Sequence, residues 1–344
     1  MVAMVEHHAK AAGLTAHVTS LGETTGPLLH ITNRTTGDTR PGILILGHLD
    51  TVHPVGTLQQ NECRIEGDKL YGPGGYDMKG GVYLAVTALG QLAAPGSTAL
   101  PVDLLLVPDE ETGSHQSRAA IERFARQACY ALVGEPARAE AGECVTARKG
   151  TGMLRLKIQG RPAHAGVNHD RGRSAIREMA HQVLALEAMT DYARGITVNV
   201  GTIQGGTVTN TVPSQCQAMV DFRVPDMQAA EDIVARMRAL QPVGPDVTLD
   251  IDVELNRPPM VKTAAVAGLL ARAQAWAAES GIALTDAPMT GGGSDANFTA
   301  ALGVPTLDGL GVDGDAAHTL HEYVLVSTLA SRLNLWHLML KNLN

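Results

Sequence analysis

The sequence predicts an α/β domain with a mixed, largely parallel sheet flanked by helices, interrupted by an inserted ferredoxin-like α+β domain. Three observations carry that prediction. Short apolar runs alternate with helix-period segments in the first part of the chain. From Gly150 the strands alternate apolar and polar residues and follow a β-α-β-β-α-β order. After Pro258-Pro259 the first texture returns. A chain of 344 residues is long for one compact core. The division predicted is residues 1–149 with 260–344, and 150–259.

Ile43 to Leu46 is a continuous apolar run, as a buried parallel strand requires. Gly80 to Leu92 has helical spacing, Val102 to Val107 is a strand, Ser117 to Ala128 a helix and Ala131 to Gly134 a strand. In the insert, Met153 to Ile158 alternates like a half-exposed antiparallel strand. Ser174 to Met189 is helical. Thr197 to Gly201 and Cys216 to Arg223 are strands, Met227 to Leu240 is a helix, and Val247 to Leu255 is a last alternating strand. Thr263 to Glu279 and Leu325 to Leu343 complete the outer domain as helices.

Composition excludes several classes. A net charge of -8 argues against nucleic acid as a partner. There is no run of apolar residues long enough to span a membrane. Met1 to His8 lacks the apolar core of a signal peptide, so the cytoplasm is the expected location. Cys63, Cys129, Cys144 and Cys216 are scattered, which fits neither a zinc ribbon nor a disulfide framework. Aromatics make up only 3%, so the core rests on aliphatic residues and Met.

The chemistry lies at strand ends. His48 and Asp50 follow the Ile43 run and sit two apart, so on a strand they face the same side. A carboxylate beside an imidazole is the usual support of a metal-bound histidine. Asp77 stands in the glycine-rich loop Tyr71 to Gly81, whose spacing matches neither phosphate-loop pattern. Asp109, Glu110 and Glu111 follow a buried strand, where adjacent acids are costly unless cations or protons neutralise them. Glu135 follows another short apolar strand, and His318 precedes His321 and Glu322. His48, Asp77, Glu111, Glu135 and His318 suit two close divalent ions bridged by a carboxylate and a water. Mixed imidazole and carboxylate ligation is compatible with zinc, manganese or cobalt. A neighbouring carboxylate outside the ligand set can then act as general base.

These segments resemble the M20 di-metal peptidases, a family that includes glutamate carboxypeptidase, acetylornithine deacetylase and succinyl-diaminopimelate desuccinylase. The motifs G-H-L-D-T-V at 47–52, G-P-G-G-Y-D-M-K-G-G at 72–81, D-E-E-T-G-S at 109–114, G-E-P at 134–136, G-R-P-A-H-A-G at 160–166, T-G-G-G-S-D-A at 290–296 and H-T-L-H-E-Y at 318–323 occur in the family's order. The resemblance implies that His48 and Glu135 hold one metal, Glu111 and His318 the other, and Asp77 bridges them. Zinc is its first choice, with cobalt or manganese as alternatives. Asp50 would orient His48, and Glu110 would be the general base that activates a metal-bridging hydroxide. Neither His53 nor His321 has a role in this scheme.

The inserted domain resembles the family's dimerisation or lid domain, which implies a homodimer. His164 matches a histidine that donates to the oxyanion from the partner subunit. Asn210 matches a substrate or oxyanion contact, Arg223 an α-carboxylate receptor and Arg257 a second carboxylate contact. Gly293 and its neighbours would let substrate backbone approach. Glu135 stands where carboxypeptidases and deacylases carry Glu and the aminopeptidase branch carries Asp. The implied activity is therefore metal-dependent release of a C-terminal amino acid, glutamate among the candidates, from a small peptide or N-acyl amino acid. The alternative is an N-acyl-amino-acid deacylase of the acetylornithine or succinyl-diaminopimelate type. A non-catalytic metal-binding module should lack a ligand or the base, whereas every expected position here is filled. Two departures stand out: members of the family usually carry a further helix before the region that starts here, and Tyr76 precedes Asp77 where they more often have Ala or Thr. The stretch Ala137 to Ala147 has no counterpart and is expected to line the side-chain pocket.

Overall fold

The computed structural model describes residues 1–138 and 142–344. Part of the 137–147 stretch, expected to line the side-chain pocket, therefore lies outside the described residues. The chain falls into two compact units. One comprises Met1–Arg148, Met260–Thr290 and Ser294–Asn344, and the other Lys149–Pro259 with Gly291–Gly293.

The first unit holds a six-stranded sheet in the order Thr15–Thr19, Leu28–Thr32, Val102–Val107, Gly42–His48, Ala128–Val133, Thr306–Leu307. The last four strands run parallel, and the first two pair antiparallel. All residues of Gly42–His48 and Val102–Val107 are buried. Ile43, Ile45, Leu104 and Leu106 enter a core shared with Leu84 and Ala88 of helix Gly80–Gln91 and Trp336 of helix Leu329–Asn342. Leu44, Leu46, Leu105 and Val107 enter a second core with Ile121 of helix Arg118–Ala125 and Phe298 of helix Ala296–Ala301. Helices on both faces explain why these strands read as unbroken apolar runs. Helix Gly80–Gln91 can approach this closely because Gly81 has no side chain, since a Cβ there would collide with the Gly134 backbone.

The helix expected over 117–128 is shorter, Arg118–Ala125, because Ala128 is drawn into the sheet opposite Gly42. The last helix begins at Leu329, not 325, since Tyr323–Leu325 pairs with Lys69–Tyr71 in a separate small antiparallel sheet. That sheet also takes in Arg64–Glu66 and Gly314–Asp315. Its strands are too short to leave a periodic signal in the sequence.

The second unit holds an antiparallel four-stranded sheet in the order Thr197–Gly205, Gln215–Val224, Gly150–Gln159, Thr248–Arg257. Helices Ala175–Glu187 and Met227–Arg238 cover one face, where Leu154, Leu156, Val220 and Phe222 pack with Met179, Leu186, Ile233 and Met237. Ser174 and Asp226 cap these helices by accepting the N–H of Arg177 and Ala229. The alternate residues carry exposed cross-strand pairs, Arg155 with Asp252 and Lys157 with Asp250. Among the described residues no helix is long and apolar enough to cross a membrane.

Candidate metal centre

In the first unit the parallel strands Val102–Val107, Gly42–His48 and Ala128–Val133 lie side by side, with His48 opposite Val107 and Leu46 opposite Val133. Their carboxyl ends therefore gather His48, the turn carrying Glu110 and Glu111, and Glu135. That is the edge where open parallel sheets bind ligands. Asp77 arrives from the glycine-rich loop ahead of helix Gly80–Gln91, next to a cis Asp77–Met78 peptide. His318 arrives from the loop after Gly314–Asp315, with φ +64°, a conformation uncommon outside glycine and concentrated at functional sites.

Distances define two donor sets that share Asp77. His48 Nε2 lies 3.1 Å from Asp77 Oδ1 and 3.9 Å from Glu135 Oε1. His318 Nε2 lies 3.1 Å from Asp77 Oδ2 and 3.5 Å from Glu111 Oε2. Within His48–Asp77–Glu135, and within Asp77–Glu111–His318, one ligand atom from each residue lies within 4.8 Å of the others. Each Asp77 oxygen thus faces a different set.

Asp50 acts somewhat differently from the expectation. Its backbone carbonyl, 3.0 Å from His48 Nδ1, makes the closer contact with the imidazole, and its Oδ1 is 3.5 Å away. A proton on Nδ1 leaves the Nε2 lone pair for a cation. The Asp50 carboxylate instead accepts the backbone N–H of Glu110 at 3.3 Å and of Glu111 at 2.9 Å. It therefore fixes the acidic turn as well as the histidine. Asp109, the first of the three acids, is structural: its Oδ2 accepts the N–H of Gln116 and Ser117 ahead of helix Arg118–Ala125.

The electrostatics call for cations. Burial pushes the Glu135 carboxyl well above its usual range, helped by the Asp77 charge. Burial also raises Glu111, with Asp77 and Asp50 adding to the effect against His48 and His318. Asp77 is lowered: burial opposes its charge, but His48 and His318 outweigh it. Burial disfavours charge on His48, yet Asp50, Asp77, Glu135 and Glu110 together hold it well above its ordinary value. Among the described residues, Glu111 Oε1 is buried with no hydrogen-bond partner. Two imidazoles, three carboxylates and an orphaned buried oxygen fit divalent ions, which supply the positive charge that protons otherwise must.

The remaining candidates lie in the second unit. His164 pairs with Thr211 in a short ladder, and the neighbouring Ala165 N–H donates to the Asn210 carbonyl at 2.9 Å. Its Nδ1 accepts the Gly166 N–H at 3.1 Å, which puts the ring proton on Nε2. Arg223 and Arg257 both stand opposite Thr151, on the strands either side of it. The Arg223 fork is occupied by Asp221, with Nε–Oδ1 2.8 Å and Nη2–Oδ2 2.7 Å, so it does not stand open for a substrate carboxylate. The expected close approach at Gly293 is made by this chain: a Cβ there would lie 2.9 Å from Arg257 Cδ and 3.0 Å from Thr151 Cγ2. On the side a Cβ would occupy, the space is taken by the arginine stem. Sequence reasoning also missed His53 and Glu322, which meet at 2.7 Å. The signal available was an acid, Glu322, directly before the short apolar run Tyr323-Val324-Leu325.

Comparison with known proteins agrees with this architecture. Residues 44–342 match peptidase family M20/M25/M40. Carboxypeptidase G2 of Pseudomonas sp. (strain RS-16) is 32% identical over 296 residues, covering 85% of this chain and 71% of the relative. Succinyl-diaminopimelate desuccinylase of Azoarcus sp. (strain BH72) is 28% identical over 313 residues, covering 85% and 80%. Among solved structures, aminopeptidase PepT from Bacillus cereus ATCC 10987 superposes with a TM-score of 0.77 at 24% identity, covering 98% of this chain and 91% of that one.

Proposed function

The chain belongs to peptidase family M20/M25/M40 and is a hydrolase, and from that premise we propose that it is a metallocarboxypeptidase releasing a C-terminal amino acid, glutamate first among candidates, from a peptidyl or N-acyl substrate. The observation that carries this reading is the pair of donor sets sharing Asp77. His48 and Glu135 would hold one divalent ion and Glu111 and His318 the other, with Asp77 between them. Zinc is the first choice, and cobalt and manganese suit the same donors. The bound ions would polarise the scissile carbonyl and acidify a water.

The protein's own part follows from its residues. Glu110, held at its backbone by Asp50, would take the proton from the attacking water and deliver it to the leaving amine. The Nε2–H of His164 would donate to the developing oxyanion in a partner subunit, with Asn210 beside it, since the Asn210 carbonyl accepts the Ala165 N–H. Arg223 and Arg257, on either side of Thr151, would receive carboxylates bidentately, Arg223 once Asp221 yields its place. Two guanidinium groups are the reason glutamate leads the candidates. The same site suits a second reading, an N-acyl-amino-acid deacylase, favoured by the likeness to a desuccinylase.

Residues 150–259 would form a dimerisation domain. The support is an unpaired edge: among the described residues Thr197–Gly205 pairs on one side only, and Ile203 on it and Leu184 on the adjoining helix are 50% and 72% exposed. A substrate screen decides between the two catalytic readings. Peptidyl and N-acyl substrates with varied C-terminal residues are offered with zinc, cobalt and manganese. Faster release of C-terminal glutamate than of ornithine from N-acetylornithine supports the carboxypeptidase reading; the reverse order supports the deacylase.

A further inference from the structure

Glu322 belongs to neither donor set, yet it is fully buried, with 0% exposure. Its Oε1 accepts the Gly74 N–H and lies 2.7 Å from His53 Nε2. Each partner comes from a different loop. His53 follows His48, Gly74 precedes Asp77, and Glu322 follows His318. One carboxylate therefore ties together the three segments that deliver His48, Asp77 and His318. Nearby contacts reinforce the junction. Asn61 Nδ2 donates to the Leu320 carbonyl at 2.9 Å, and Lys79 Nζ donates to the Pro73 carbonyl at 2.5 Å.

We propose that Glu322, clamped between His53 and the Gly74 N–H, is a positioning residue that presets the spacing of Asp77 and His318 for metal capture. The proposal rests on the reading that those two residues hold ions. A buried carboxylate is costly unless hydrogen bonds compensate it, and among the described residues Oε1 takes both contacts while Oε2 has none, so the compensation rests on His53 and Gly74. The His318 loop needs such an anchor. Its histidine side chain is 54% exposed and its backbone sits in the left-handed region. Without the clamp, ordering that loop falls to the metal itself and weakens binding.

The test is calorimetric titration of metal-depleted protein with Zn²⁺, repeated with Co²⁺ by visible absorption, alongside the metal-free Tm. Wild type should take up two equivalents. Glu322→Ala and His53→Ala should weaken one of the two steps by about tenfold or more. Glu322→Gln keeps an oxygen for the Gly74 N–H and should recover part of that loss. Asp103→Asn is the control. It removes the charge and one of the two acceptor oxygens that meet His30 and Arg34 at the other end of the sheet, and should lower Tm without touching either affinity. Two unaltered steps in Glu322→Ala and His53→Ala overturn the clamp and leave the metal centre standing. A wild type that binds no ions overturns the metal centre itself. Should Glu322→Ala fail to fold, His53→Ala and Glu322→Gln decide by the same criterion.

Discussion

Single residues in this protein divide labour that the sequence presents as undifferentiated acid. Asp109 accepts the backbone N–H groups of Gln116 and Ser117, Glu111 faces His318, and Asp50 anchors the turn that bears Glu110 and Glu111. Glu178 shows the same economy away from the metal centre. It is buried, and burial alone would raise its pKa. Hydrogen bonds from Val243 N at 2.9 Å, Gln182 Nε2 at 2.8 Å and Gly244 N at 2.8 Å hold it below the usual carboxylate range instead. A depressed folded-state pKa means stability that is present above the ordinary Glu value and is lost as pH falls through the folded one. Glu178→Gln should cost about 1–3 kcal/mol near neutrality. The gap from wild type should close as pH falls below the ordinary Glu value and through the lowered folded one. Chemical denaturation across that range checks it, and a gap that widens toward acid would refute the assignment.

At the level of elements, edges carry the consequence. The strand Thr197–Gly205 and helix Ala175–Glu187 present Ile203 and Leu184 to solvent, which suits a second copy of the chain. Ile203→Lys with Leu184→Lys should convert the proposed dimer to monomer by light scattering, and an unchanged mass would remove this face from the interface. Elements were legible where periodicity ran long. The Ile43 run and the alternating insert strands stood out because burial on two faces, or on one, imprints opposite patterns. Missed elements were short or governed by distant pairing. Ala128 reads as helical but joins the sheet opposite Gly42, and Tyr323–Leu325 becomes a strand only because Lys69–Tyr71 lies beside it. In the site, His48, Asp77, Glu111, Glu135 and His318 were legible as acids and histidines at strand ends. Their convergence depends on strand order, which local pattern does not encode. Side-chain pairings are the least legible where the partner is distant, as for His53 and Glu322, whereas Asp221 and Arg223 stand two apart on one strand and show the same spacing as His48 and Asp50.

For the whole molecule, the net charge of -8 and the clustered carboxylates are two aspects of one design. Acids that would repel one another in a low-dielectric cleft are tolerable when cations join them. The central claim is that two ions share Asp77 and that Glu110 moves the proton. It is tested most directly by measuring bound metal and single-turnover hydrolysis on the same samples of wild type and Glu110→Ala. Two equivalents of metal in both proteins, with turnover reduced about 10²–10⁴-fold in the variant, is the predicted result. Fewer than two equivalents in wild type, or undiminished turnover in Glu110→Ala, would contradict it.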